Sequence, residues 1–193
     1  FAYPATLAGN WMAPGGGWFG NLLAPVSIGS PDAVSIATPL ALAKGGVMTP
    51  LQDLFLGNVA GSVAETSAMA ILIGGAFLLL VGVASWRTVC GTLLGFVGLQ
   101  ALLCLLIPQT ASPVLFSLMA GGILFGAFFM ATDPVTSPLT QGGKWIYGLI
   151  IGSVTVLIRN FAGYVEGVTF AILLGNIVSP AIDEVIIRLR MRR

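Results

Sequence analysis

Apolar positions in this chain neither alternate nor keep to one helical stripe; they run on for about twenty residues at a time between short polar interruptions. Thr66 to Ser85 carries no charge across 20 residues. As helix it would be about 30 Å long, the thickness of a hydrocarbon core. Arg87 follows, then Thr88 to Ile107 before Pro108, then Ser112 to Thr132 before Asp133-Pro134. Trp145 to Ile158 is shorter, with Trp145 and Tyr147 placed as interfacial aromatics. Gly167 to Ile187 is the least regular, carrying Asn176, Pro180, Asp183 and Glu184. The pattern therefore predicts five membrane-spanning helices. Residues 1–65 break differently, with 10 of the 26 glycines and 6 of the 11 prolines, which interrupt any long helix. Three regions follow: a Gly/Pro-rich segment over 1–65, a five-helix bundle over 66–187 and a basic tail over 188–193.

Composition agrees with this division. Of the 193 residues 56% are hydrophobic and 8% charged, against roughly 25% charged in soluble domains, so the chain reads as an integral membrane protein. It has no histidine, which removes imidazole metal sites, haem ligation by His and His-based acid/base catalysis. Cys90 and Cys104 lie in one apolar run; 14 residues of helix hold them about 21 Å apart, beyond disulfide reach. A net charge of +1 argues against nucleic acid as a partner. The basic residues set an orientation. Arg188, Arg190, Arg192 and Arg193 belong in the cytoplasm, and counting back through five spans puts Arg87 and Lys144 there too, with Lys44 and Arg159 outside. Residues 1–65 then face the outer side. Glycines four apart (Gly91 and Gly95, Gly122 and Gly126, Gly148 and Gly152) mark close helix contacts.

Ionisable groups at membrane depth are costly, which makes them functional candidates. Asp133 closes the third expected span and Asp183 lies near the inner end of the fifth. Carboxylates beside Thr and Asn oxygens suit a hard cation such as Na⁺; the other reading is that Asp133 caps the segment after it and Asp183 pairs with a C-terminal arginine. Glu65 opens the first span, where helix capping and ion binding are both open. Glu166 and Arg159 flank one outer loop and read as a surface pair. In the outer segment, Ser30 to Leu40 reads as a turn followed by small residues, with the Thr38 hydroxyl accessible before Pro39.

Taken together, several blocks resemble the family of the B subunit of the Na⁺-translocating NADH:quinone reductase and the D subunit of the RNF complex. They include Phe1 to Ala5, Asp32 to Leu40, Gly57 to Ser67, Ala84 to Arg87, Phe128 to Val135, Gly143 to Arg159, and Asn176 to Asp183, in family order along nearly the whole chain. Phe1 to Ala5 and Ala84 to Arg87 look more like the quinone reductase, and Ala37 to Leu40 more like the RNF protein. In this family a threonine in an Asp-Gly-x-Ser-Gly-Ala-Thr pattern carries FMN through a phosphoester placed by a flavin transferase. The resemblance puts Thr38 at that position, with Asp32, Ser35 and Ala37 kept and Ala33 and Ile36 standing where the family has glycine.

The resemblance further implies Na⁺ handling by Asp133 and Asp183 and importance for Glu65. It implies a bacterial cytoplasmic membrane, quinone as electron acceptor, riboflavin as a further candidate cofactor, and other subunits of one redox complex as partners. The family protein has two inverted five-span repeats of urea-transporter-like fold, and the five spans here resemble the second, so an N-terminal repeat is an expected partner. Such a chain would act only within its complex. A channel or secondary transporter is the alternative reading, because Gly/Pro-interrupted segments and inverted repeats also describe those folds.

Overall fold

The structure, a computed structural model, describes residues 38–44, 48–57, 59, 67–107, 112–162, 164 and 166–191. Every regular element among them is helical: α1 (Pro39–Lys44), α2 (Leu51–Leu56), α3 (Ala68–Val81), α4 (Trp86–Leu106), α5 (Val114–Met119), α6 (Ile123–Phe125) running into a π-helical turn (Gly126–Met130), α7 (Gln141–Phe161) and α8 (Val168–Met191). By length and composition α4 and α8 are long and apolar enough to cross a membrane, and α3 is a shorter apolar helix.

The boundaries have local causes. The Ser67 hydroxyl caps α3 by accepting from the Ala70 N–H at 3.3 Å. The helix ends after 14 residues because Gly82 turns left-handed at φ 80°, so the expected 20-residue span is helical over about 21 Å only. At the start of α7 the Thr140 hydroxyl accepts from the Gly143 N–H at 3.1 Å. That helix begins four residues before the expected Trp145 and runs on to Phe161. The segment expected to be least regular is a continuous 24-residue helix, α8, which takes Pro180 in its stride and forgoes only the bond to the Asn176 carbonyl.

The irregularity lies instead in the third expected span, which is broken. α5 stops at Met119, Gly121 adopts φ 78°, and the chain resumes helix at Ile123. Thus the single span from Ser112 to Thr132 is two half-helices.

Helix α4 packs along α7, and α8 packs on α7 as well. Glycine permits the first contact. A Cβ on Gly148 would stand 2.6 Å from the Thr88 carbonyl oxygen, and one on Gly95 would stand 2.6 Å from that of Leu149. Gly91 and Gly152 meet backbone across the same seam, as expected of small residues four apart. Phe96, Ile123, Tyr147, Ile151 and Ile172 form the central core. Tyr147 is fully buried, against its expected interfacial position, because its hydroxyl donates to Asn176 Oδ1 of α8 at 2.6 Å. Outward-facing Leu80, Leu105 and Ile177 are at least 80% exposed, leaving apolar rims on α3, α4 and α8.

Candidate functional site at the interrupted helix

Breaking a helix frees backbone groups that must find new partners. In an unbroken helix the Ser117 carbonyl would accept from residue 121 and the residue 122 N–H would donate four residues back. Here Arg159 of α7 donates from Nη1 to the Ser117 carbonyl at 2.7 Å. The Gly122 N–H donates to Glu166 Oε1 at 3.2 Å. Arg159 Nη2 joins the two by donating to the Glu166 carboxylate at 3.3 Å. Gly121 lies beneath this pair: a Cβ there would collide with Glu166 Oε1 and stand 2.9 Å from Arg159 Nη2.

The arginine is an interior residue. Its side chain is 5% exposed and that of Glu166 30%, and the guanidinium carbon lies 5.3 Å from the Phe96 ring centroid. Among the described residues the buried Arg159 Nε has no hydrogen-bond partner. The expected Arg159–Glu166 pair therefore forms, but inside the bundle. Neighbouring polar groups extend the network. Gln100, 1% exposed, donates to the Ser112 carbonyl at 2.8 Å and to the Ser117 hydroxyl at 3.3 Å, and Asn160 donates to Gln100 Oε1 at 3.0 Å. Sequence reasoning passed over Gln100, Ser117 and Asn160. The available signal was Gly121-Gly122, a turn dipeptide inside an apolar run.

Asp133 and Asp183 come to the two ends of one connection, the stretch from the π-helical turn to α7. At its start, Asp133 accepts from the Val135 and Thr136 N–H groups, each at 3.3 Å, and from the Thr136 hydroxyl at 2.8 Å. The Thr136 hydroxyl first, then the Val135 N–H, hold this carboxyl below its ordinary value of 3.8. At its end, Asp183 reaches over from α8 and accepts from the Leu139 N–H at 2.7 Å, the Thr140 N–H at 3.1 Å and the Thr140 hydroxyl. Asp183 thus ties α8 to the start of α7, while Arg188 pairs with Glu184 on the exposed face. Each carboxylate accepts three bonds of roughly four it can take. Among the described residues no three Asp, Glu, Cys or His gather into a metal cluster. Before this connection Phe125 and Phe129 stack at 5.0 Å, and the π-helical turn is of a kind frequent at functional positions.

Thr38 caps α1: its hydroxyl oxygen accepts from the Ala41 N–H at 3.4 Å. The residue is half-buried. An ester on this oxygen keeps its acceptor lone pair, so the capping contact and a phosphoester are compatible. Two residues on, Leu40 packs with Leu54, Val59, Phe116 and Ala120, which seats α1 against the half-helix that ends at the break. Asp32, Ser35, Ala37 and Glu65 lie outside the described residues.

The described residues form a helical bundle in which two helices are long and apolar enough to cross a membrane, with an interrupted helix and a buried ion pair at the interruption, a build consistent with a membrane protein. The chain belongs to the NQR2, RnfD, RnfE family, whose model matches residues 1–192. It is 40% identical over 207 residues to the B subunit of the Na(+)-translocating NADH-quinone reductase of Ectopseudomonas mendocina, and 42% identical over 207 residues to that of Azotobacter vinelandii. The protein of the same name from Klebsiella pneumoniae is 39% identical over 201 residues. All of this chain is covered in each comparison and 47% of each relative, so the chain spans about half the length of the curated relatives it matches.

Proposed function

We propose that the chain is part of the membrane subunit of a Na⁺-pumping NADH:quinone oxidoreductase, active only within its complex. The observation that carries this is the family match over residues 1–192, which takes in both the Thr38 segment and the two aspartates. On this reading Thr38 carries FMN as a phosphoester set by a flavin transferase, with Asp32, Ser35 and Ala37 forming the attachment segment. The bound flavin supplies one- and two-electron redox chemistry on the way to quinone, with riboflavin as a further candidate cofactor. The protein's own part is to hold the esterified oxygen at the start of α1 and to seat α1 against the interrupted helix.

Asp133 and Asp183 offer carboxylate oxygens to Na⁺ at the two ends of the connection before α7, and Glu65 is a third candidate. Coupling follows if Na⁺ affinity there depends on the charge of a nearby electron carrier, a reciprocal linkage. The basic C-terminus faces the cytoplasm of a bacterial inner membrane and the Thr38 segment faces outside. The interrupted helix supports placing these residues in a five-span, urea-transporter-like repeat that pairs with a second repeat. The test is NADH-driven ²²Na⁺ uptake by vesicles carrying the complex. Uptake should fall in Asp133→Asn and Asp183→Asn while both variants still assemble; a wild-type complex that oxidises NADH with no Na⁺ uptake overturns the reading. The family also includes RNF proteins, and electron entry from reduced ferredoxin rather than quinone reduction would assign the chain to that branch.

A further inference from the structure

We infer that the groove between the start of α7 and the end of α8 seats the headgroup phosphate of an acidic phospholipid. This rests on the reading of the chain as a membrane subunit and needs neither the flavin nor Na⁺.

The two helices bring together an apolar wall and a positive edge. The groove has a volume of about 720 Å³ and is lined from the α7 side by Leu139, Thr140, Gln141 and Gly142. Opposite them stand Ile186, Ile187, Leu189 and Arg190 of α8. Of these lining residues Arg190 alone is charged. Among the described residues it makes no ion pair, and the two carboxylates of α8 are engaged elsewhere: Glu184 pairs with Arg188, and Asp183 accepts from Leu139 and Thr140.

Backbone donors border the same space. The Gly143 and Lys144 N–H groups are used by Thr140, whereas those of Gln141 and Gly142, the first two of the helix, have no acceptor among the described residues. A Cβ at Gly142 would meet only Ile186 Cδ1, at 3.5 Å, which leaves room beside these amides. Asp183 already brings a negative charge to this helix start, so the amides alone would hold an anion weakly. Arg190 is the element that turns the groove towards anions.

Depth selects a lipid over a soluble anion. Trp145 stands four residues into α7 from Gln141, about 6 Å along the axis, and meets Trp86 edge to face. Tryptophans gather at the boundary of the hydrocarbon, which sets the groove at headgroup level. There Leu139 is 80% exposed and Leu189 60%, apolar surface that a free phosphate cannot use and a lipid's glycerol and first methylenes can. Basic pockets between spanning helices at the membrane surface suit acidic headgroups for these reasons.

The experiment is photocrosslinking of the assembled complex in phosphatidylcholine nanodiscs, with a trace of phosphatidylglycerol or phosphatidylcholine carrying a diazirine near the glycerol, mapped by peptide mass spectrometry. Phosphatidylglycerol should label residues 139–142 and 186–190 about five-fold more than phosphatidylcholine, the preference that one basic residue confers at a membrane surface. Arg190→Gln should abolish that preference and Arg190→Lys should keep it. Arg193→Gln removes the same charge from the same tail and should leave the preference unchanged. Gly142→Glu puts a carboxylate at a helix start that tolerates one and should abolish the preference without touching the arginine. The inference is overturned by equal labelling from the two lipids in wild type, by equal losses in Arg190→Gln and Arg193→Gln, or by a preference that survives Gly142→Glu. Displacement of the lipid by millimolar inorganic phosphate would overturn it in favour of a soluble anion, and a groove left unlabelled while the outward faces of α4 and α8 are labelled would overturn it in favour of a covering subunit. Absence of label from those outward faces with either lipid would remove the membrane reading, and the inference with it.

Discussion

The contact between α4 and α7 can be tested with one methyl group. A Cβ at Gly148 would stand 2.6 Å from the Thr88 carbonyl oxygen, 2.7 Å from the Thr92 nitrogen and 2.9 Å from the Gly91 carbonyl carbon. All three are backbone atoms of one helix, so no side chain can swing aside. Reaching an ordinary contact of 3.4 Å requires the helices to part by about 0.8 Å, and a gap of that size forfeits a quarter to a half of the dispersion energy along the seam. Overpacking of this kind costs about 1–3 kcal/mol, and Gly148→Ala belongs at the upper end because Gly91, Gly95 and Gly152 lose contact together. For a chain of this size each kcal/mol moves the thermal midpoint by about 2–4 °C, so the midpoint should fall by about 5–10 °C. The control is Gly98→Ala on α4, where a Cβ meets nothing within 4 Å; it should gain about 0.5–1 kcal/mol from helix propensity. Thermal scans in nanodiscs followed by tryptophan emission suit the purpose, because Trp86 and Trp145 meet edge to face at 5.8 Å across this interface. Equal midpoints for the two variants would refute the backbone-contact argument.

Further outcomes follow from the carboxylates and the break. Asp183→Ala removes the acceptor for two N–H groups and one hydroxyl and should destabilise by about 1–3 kcal/mol, water replacing part of the loss. Asp183→Asn keeps one acceptor and should recover much of that stability in the same scans. Asp133 has a depressed carboxyl, so its contribution is complete above pH 3.8 and is lost as the pH falls through the folded value. Thr136→Val removes the largest cause of the depression and should move the Asp133 carboxyl resonance to titrate at higher pH in ¹³C-Asp NMR. Gly121→Ala should displace Glu166 from the break and speed amide exchange at Gly122, measured by mass spectrometry.

Much of this fold could be read from the chain alone, because bilayer thickness writes itself into the length of an apolar run. Helices α4 and α8 fall close to their expected bounds, and the glycine pairs on α4 and α7 meet as their spacing implied. Hydropathy is blind to what happens within such a run. Gly121-Gly122 contributes to the same apolar average as a continuous helix, yet the chain turns there, and the broken backbone is completed by residues far along the chain, Arg159 and Glu166. Their charges looked like loop charges because α7 was expected to end at Ile158, one residue before Arg159. The Thr140 cap shows that α7 starts earlier, but it was the three-residue extension to Phe161 that carried Arg159 into the bundle. Tyr147 was misplaced for a related reason: an aromatic near a span end is interfacial only if no partner awaits its hydroxyl inside, and Asn176 supplies one. Thr38 stood out in the chain only through the motif around it, whereas its capping of α1 follows from a hydrogen bond to Ala41.

The decisive measurement is ultraviolet fluorescence of the chain in a denaturing gel after expression with its complex and a flavin transferase. A flavin band should comigrate with the chain, survive denaturation and disappear in Thr38→Ala. A wild-type chain that migrates without fluorescence, or a Thr38→Ala chain that keeps it, would contradict the claim that this threonine carries the flavin.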